Sequence, residues 1–389
     1  MLTFSHLLSD NHAIVLTAVL IAAFIYLCIY YGLYHFRVGR YGINKPVVKT
    51  TGSLAGDDMP PVSVVLTARN DAGWLRENLV YLLEQDYPNF EVVVVDYLSQ
   101  DDTQFVLKLL HDYYKHLKIV PFKEDVNLFQ GKKYPLSIGI KSASNDILML
   151  ADPDCTPKNL NWLRGMVKGY RDKETQIVLG YCGVKRTKTL LGALQQYDAL
   201  AYGAQYLGSA LIGHPYTGSG RNLSYRRSFF FKQGAFIRHY DVADGSDDLF
   251  IYQNADKHNT AVCITPDACL NAEPKKTFAQ WHDDRRHRVA TRNRHSLASR
   301  IGEETTPVAN LAFYAAAALL LVFRLYTWPI VAAALVLKWA WQIISFSMLT
   351  KRFDGGYVHL AAPLLEIYFI IANTILILLP LHNNRKFKK

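Results

Sequence analysis

The chain has little cysteine for its length, and none of it is closely paired. Five cysteines (Cys28, Cys155, Cys182, Cys263 and Cys269) are scattered through 389 residues without a C-x-x-C spacing. That excludes a small disulfide-stapled scaffold and reads as free thiols in a reducing compartment, each behaving as a small apolar residue. Lysine and arginine are missing from the first 36 residues, where Asp10 stands alone. The basic n-region of a signal peptide is therefore absent. No recognised nucleic-acid module is present either. The formal net charge of +10 is concentrated near apolar segments, so a nucleic-acid partner is not expected.

Half of the residues are hydrophobic, and they are unevenly spread. Residues 13–36 are nearly all apolar, long enough to cross a bilayer at roughly 20 residues per span. Arg37, Arg40, Lys45 and Lys49 follow. The positive-inside rule then places residues 1–12 outside and the chain from Arg37 in the cytoplasm. Three more apolar stretches follow Pro307: residues 307–323, 327–349 and 358–381. The second and third read as spans. The first is short and is followed at once by Arg324, so it reads as spanning or as interfacial. An interfacial segment there would return the basic tail, residues 382–389, to the cytoplasm. Glu366 lies inside the last span. An intramembrane carboxylate is either a functional group or a protonated side chain packed against a neighbouring helix.

Between these ends, residues 37–60 read as a linker and residues 61–290 as a folded domain. Val62–Ala68, Phe90–Val95, Leu117–Pro121 and Asp146–Ala151 read as strands. Leu75–Gln85, Thr103–Tyr114 and Lys132–Ala143 read as helices from the spacing of their apolar positions. Strands alternating with helices predict an α/β fold with a mostly parallel sheet and right-handed crossovers.

The run Ile147–Leu150 ends in Asp152-Pro153-Asp154. In open α/β sheets ligands bind beyond the C-terminal ends of strands. Two carboxylates at spacing two in that place match a hard divalent cation shared with substrate phosphates. A polar turn after a strand explains the same triplet, since Pro and Asp are turn residues.

Six segments, taken together, resemble a membrane-bound family 2 glycosyltransferase of the GT-A fold, in a branch common in Bacteroidetes-type bacteria. They are Val62–Asp71, Glu91–Thr103, Gly131–Leu136, Ala151–Cys155, Gly213–Tyr225 and Gly245–Phe250. The resemblance implies a Rossmann-like domain with transmembrane helices at both ends, in the bacterial inner membrane with the catalytic domain cytoplasmic. It implies transfer from a nucleotide sugar, with a UDP-sugar favoured, through Mg²⁺ or Mn²⁺ held by Asp152 and Asp154. Lys132 and Lys133 would add cationic contacts to the donor phosphates. Asp247 aligns with the family's general base, with Ser246 where an acid usually precedes it and Asp248 as the neighbouring alternative. A helix cap is the plain role for a carboxylate there. At the nucleotide end, Asp71 and either Asp96 or Tyr97 would contact the base. The segment Gln280–His287 resembles the family's Q-x-x-R-W element, with Asp283 in the Gln position, Arg286 in the Arg position and His287 in the Trp position. That would bring Arg286 to the diphosphate.

The acceptor implied is a lipid or lipid-linked molecule, because few spans are available to build a polymer channel. The apolar helix within residues 192–215 and the arginines 285, 286, 288, 292 and 294 are candidate contacts with membrane lipids. A processive polysaccharide synthase, a catalytically inactive membrane scaffold and a nucleotidyltransferase are the competing readings.

Overall fold

In a computed structural model, residues 10–42, 59–122, 131–323 and 327–378 are described. Lys45, Lys49, Asp57, Arg324 and the tail at residues 382–389 lie outside the described residues, as do most of residues 1–12 and most of the expected linker. The chain divides into two compact units, residues 41–295 and residues 1–40 with 296–389.

The first unit is built on a seven-stranded sheet. Its strands are β1 (Val62–Ala68), β2 (Phe90–Asp96), β3 (Leu117–Pro121), β4 (Ile147–Leu150), β6 (Ile177–Leu179), β8 (Leu223–Arg226) and β9 (Thr260–Val262). Their order is β3-β2-β1-β4-β8-β6-β9. β1 runs parallel to β2 and β4, β2 runs parallel to β3, and β6 runs parallel to β9. β8 is antiparallel to both β4 and β6. All seven positions of β1 are buried, as expected of a strand covered on both faces by helices. A second sheet joins β5 (Cys155–Pro157), β7 (Cys182–Val184) and β10 (Leu270–Ala272) in the order β5-β10-β7.

Expected and observed elements agree closely in the first half of this unit. The helices form at Ala72–Leu83, Thr103–Tyr113 and Lys133–Ser142, within a few residues of their periodic patterns. The strands β5, β6, β7, β9 and β10 have three residues each, too few for an alternation to show in sequence. The long helix Leu190–Leu211 is a core element. Leu194, Tyr197, Leu200, Ala204 and Leu207 are buried within the domain. The middle of this helix is therefore corrected as a candidate lipid contact, Leu207 for one having no exposed surface.

The second unit is helical. Asn11–Arg40, Thr305–Phe323 and Trp328–Phe353 are long and apolar enough to cross a membrane. The stretch expected as short or interfacial, residues 307–323, is the end of the 27-residue helix Leu297–Phe323. The apolar stretch of the last helix is the shorter one among the described residues, Val358–Asn373. The first helix passes through a π-helical segment, Tyr31–Phe36. Within it, the Tyr31 hydroxyl donates to Glu366 Oε1. Glu366 Oε2 receives Lys338 Nζ and, at 3.1 Å, the Tyr314 hydroxyl. The carboxylate singled out in sequence thus sits in a buried ion pair that ties side chains from four helices together.

Removing one member leaves the other charge buried alone, which costs about 3–5 kcal/mol. Glu366→Leu should therefore lower the thermal unfolding temperature of the full chain in detergent sharply. Glu366→Leu with Lys338→Met should recover most of the loss. Equal destabilisation by the single and double variants would contradict the pairing.

Candidate active site

Strand pairing assembles the charged site. β4 ends at Leu150, and the turn to β5 carries Asp152 and Asp154, closed by the Cys155 N–H donating to the Asp152 carbonyl at 3.0 Å. β8 pairs antiparallel with β4 so that Leu223 lies opposite Leu150. Arg221, two residues earlier, is thereby carried over the same edge. Its Nη2 lies 3.4 Å from Asp154 and its Nε 3.6 Å from Asp152. β10 pairs antiparallel with β5, and Glu273 N–H donates to the Asp154 carbonyl at 2.8 Å. Lys275 follows by two residues, and its Nζ lies 3.2 Å from Asp154 Oδ2. Asp284, from the helix Phe278–Val289, accepts from Arg221 at 3.1 Å and pairs with Lys275 at 3.4 Å. Lys132 closes the group on Asp152.

Three cations therefore face three carboxylates at one sheet edge. Burial acts to raise the Asp152 pKa, but the Lys132 ammonium and Arg221 guanidinium outweigh it and hold the carboxyl below its usual range. Burial also works against the Arg221 charge, and Asp154, Asp152 and Asp284 overcome it.

Asp247 and Asp248 open the helix Asp248–Asn254, yet neither reading of them as a plain cap suffices. Asp247 occupies the cap position without capping the helix. Its Oδ2 instead accepts the Gly220 N–H at 2.7 Å. A Cβ at Gly220 would come within 3.1 Å of that oxygen, so glycine permits the approach. Asp248 is buried, receives the Thr291 hydroxyl and has His295 Nε2 at 3.6 Å. Burial and then the charge of Asp247 push its pKa up to about 7. Asp152, Lys132, Arg221, Lys275, Asp284, Asp247 and Asp248 line one cavity of about 270 Å³. Asp198, Tyr202, Trp281 and Arg288 form another part of its wall.

The nucleotide-end candidates sit at the ends of β1 and β2. Asp71 accepts the Arg69 N–H at 2.9 Å. Burial raises its pKa, and Asp152 and Asp154 add to the shift against that hydrogen bond. Asp96 ends β2, is 1% exposed, and neither carboxylate oxygen has a hydrogen-bond partner among the described residues. Tyr97 is half-buried, with the Arg69 guanidinium 5.4 Å from its ring centroid and Phe122 edge-on at 5.0 Å. Asn70 links the two loops, its N–H donating to Ser99 Oγ and its Oδ1 accepting from Gln100 N–H.

Two expected donor contacts are placed elsewhere. Lys133 is 1% exposed and spends its ammonium on the carbonyls of His239 and Val242, at 2.6 and 2.8 Å. It braces the 239–242 segment, and burial brings its pKa down to about 8. Arg286 is exposed and does not line the cavity. The arginine that does is Arg288, which pairs with Asp198 and lies 4.8 Å over the Tyr202 ring. Arg285 also reaches Asp198, at 3.5 Å, and Arg294 pairs with Asp241. Arg285, Arg288 and Arg294 are engaged within the domain, which corrects the reading of these three as part of a lipid-binding stripe. Arg221, Lys275, Asp284 and Asp198 escaped the sequence reading. The only available signal for Arg221 was its place in the glycine-rich Gly218–Arg221 turn.

The residues fit a divalent cation by donor chemistry. Asp152 and Asp154 offer hard carboxylate oxygens from one turn. Among the described residues no three His, Cys, Asp or Glu side chains form a self-sufficient metal cage. A cation here would take its remaining ligands from phosphate oxygens and water, the mode usual for Mg²⁺.

Residues 63–254 match the family model described as glycosyl transferase family 2. A probable glycosyltransferase of Bacillus subtilis, YdaM, is 25% identical over 187 residues, 46% of this chain and 43% of that protein. The glycosyltransferase AglE of Haloferax volcanii is 34% identical over 107 residues, 27% of this chain and 34% of that protein. The chain thus spans less than half the length of either relative. The mannosyltransferase PcManGT from Pyrobaculum calidifontis, solved with GDP-Man and Mn²⁺, shares the fold. Its TM-score is 0.60, at 21% identity over 92% of this chain and 98% of that one.

The raised pKa of Asp248 has a consequence for stability. Its folded value of about 7 lies above the ordinary carboxyl value near 4. The stabilising contribution of the neutral form is complete below about pH 4 and is lost as pH rises through about 7. Thermal unfolding of the full chain in detergent should drop between about pH 5 and about pH 8, and the drop should shrink in Asp248→Asn. An unchanged pH slope in that variant would contradict the assignment.

Proposed function

We propose that the chain moves a sugar, with inversion, from a nucleotide diphosphate sugar to a lipid or lipid-linked hydroxyl; the match of residues 63–254 to the glycosyl transferase family 2 model and the shared fold support this reading. The observation that carries this reading is the placement of Asp247 in the same cavity as the Asp152–Lys132 pair. A diphosphate leaving group and a deprotonated acceptor must meet at one carbon, and these groups serve the two ends of that exchange.

Asp152 and Asp154 would hold Mg²⁺ or Mn²⁺, which when bound would offset diphosphate charge as a Lewis acid and template. Lys132, Arg221 and Lys275 turn from the carboxylates toward phosphate oxygens as the donor enters. Asp71 and Asp96 receive the nucleoside. The unpartnered Asp96 carboxylate suits a base N–H, since a buried acceptor left unmade is costly. Asp247 takes the acceptor proton on the oxygen not used by Gly220. The acceptor oxygen then attacks the anomeric carbon as its bond to the diphosphate breaks, inverting the centre. Asp248 keeps its own proton near neutral pH and leaves Asp247 as the charged base.

The lipid acceptor and the cytoplasmic face of a bacterial inner membrane are supported by the apolar helices of the second unit and by Arg37 and Arg40 at the end of the first. The full chain in detergent, given Mn²⁺, UDP-sugars, GDP-mannose and total bacterial lipid, should release a nucleoside diphosphate and form a glycosylated lipid by mass spectrometry. Asp247→Asn should lower kcat by about a hundredfold to ten-thousandfold while leaving donor affinity unchanged, because the base acts only in the chemical step. Near-normal kcat in Asp247→Asn, with Asp248→Asn inactive, would move the base by one residue.

A further inference from the structure

Two equivalent segments leave the small sheet side by side. β7 and β10 are parallel, with Val184 opposite Ala272. Six residues beyond each of these stands the first residue of a helix, Leu190 on one side and Phe278 on the other. The connections match in chemistry. Each ends in Lys-Thr before the apolar residue, Lys188-Thr189-Leu190 and Lys276-Thr277-Phe278. Each threonine caps its helix by accepting the N–H three residues on, from Gly192 at 3.0 Å and from Gln280 at 3.2 Å. Gln195 and Lys275 exchange side-chain and backbone hydrogen bonds at 2.9 and 2.8 Å, holding the two helix starts together.

Leu190 is 68% exposed and Phe278 45% exposed. Arg186, Lys188 and Lys276 are exposed beside them. Residues 186–197 and 274–282 contain no carboxylate. The patch adjoins the cavity, since Lys275 and Trp281 line it and the Phe278 ring lies 6.4 Å from that of Trp281. Apolar side chains with basic neighbours are the composition by which a surface settles into the headgroup region of an anionic bilayer.

We infer that Leu190 and Phe278, with Arg186, Lys188 and Lys276, form the edge by which the catalytic domain rests on an anionic phospholipid surface, delivering a membrane-held acceptor to the cavity. The delivery role rests on the lipid-acceptor reading above, whereas the lipid contact stands on the surface itself. The chain supplies charge complementarity to anionic headgroups, and three of its helices are long and apolar enough to cross a bilayer.

The test uses the full chain in nanodiscs of phosphatidylcholine alone, of phosphatidylcholine with phosphatidylglycerol, and in detergent. Hydrogen exchange of peptides covering residues 186–192 and 274–281 should be slowest in the anionic discs. Lys188→Glu with Lys276→Glu should lose the lipid-composition dependence, about fivefold per basic side chain. Leu190→Asp with Phe278→Asp should lose protection in both kinds of disc, with exchange elsewhere in the domain unchanged as the check on folding. Hydrolysis of the nucleotide sugar, read on the same samples, should persist in all variants while transfer to lipid falls. Identical exchange in detergent and both discs, or protection that survives both double variants, would overturn the inference. Protection without any turnover of donor in the unaltered chain would uphold the lipid contact and overturn the activity reading alone.

Discussion

The candidate site depends on one electrostatic arrangement. Asp152, Asp154 and Asp284 crowd at a sheet edge and would repel one another without Lys132, Arg221 and Lys275 among them. Opposite charges at such distances in a half-buried setting are worth far more than on an open surface. Arg221 and Lys275 stand within three residues of paired strands, so the sheet register sets this part of the charge pattern, and Lys132 comes from the start of the helix Lys133–Ser142. A one-residue slip of β8 against β4 would turn its side chains to the opposite face and carry Arg221 away.

The same arrangement is suited to exchange partners. A nucleotide diphosphate donor with a divalent cation would bring both signs of charge. The carboxylates would then pass to the cation while the ammonium and guanidinium groups pass to phosphate. Such a site is preorganised on both sides, which is the usual form of electrostatic stabilisation in catalysis. Asp248 beside Asp247 extends this logic, since its burial and then the neighbouring charge both push its pKa up.

Much of this was legible in the sequence, for identifiable reasons. Continuous apolar runs such as Val62–Ala68 and Ile147–Leu150 announce buried parallel strands, and the carboxylates beyond Leu150 announce a site. The three-residue strands β5, β7 and β10 carry no such periodicity, so the contribution of Lys275 through the β5–β10 pairing was invisible. Lys133 looked like Lys132 in sequence, but one helical step turns it from the cavity toward the His239 and Val242 carbonyls. Arg286 was chosen by motif position, and helical phase gives the cavity wall to Arg288 instead. Along the middle of the Leu190–Leu211 helix the 3.6-residue spacing is strongest and suggests a lipid-facing apolar surface. That spacing reports core packing, and the exposed apolar residue is the helix's first.

The central claim is that Asp152 and Asp154 form a cation-dependent diphosphate site. Calorimetric titration of nucleoside diphosphate into the full chain in detergent tests it most directly, with Mn²⁺ present and after chelation, for the unaltered chain and for Asp154→Ala. The account predicts binding that requires Mn²⁺ and is lost in Asp154→Ala with the fold intact. Equally tight binding in chelator, or in Asp154→Ala, would contradict it.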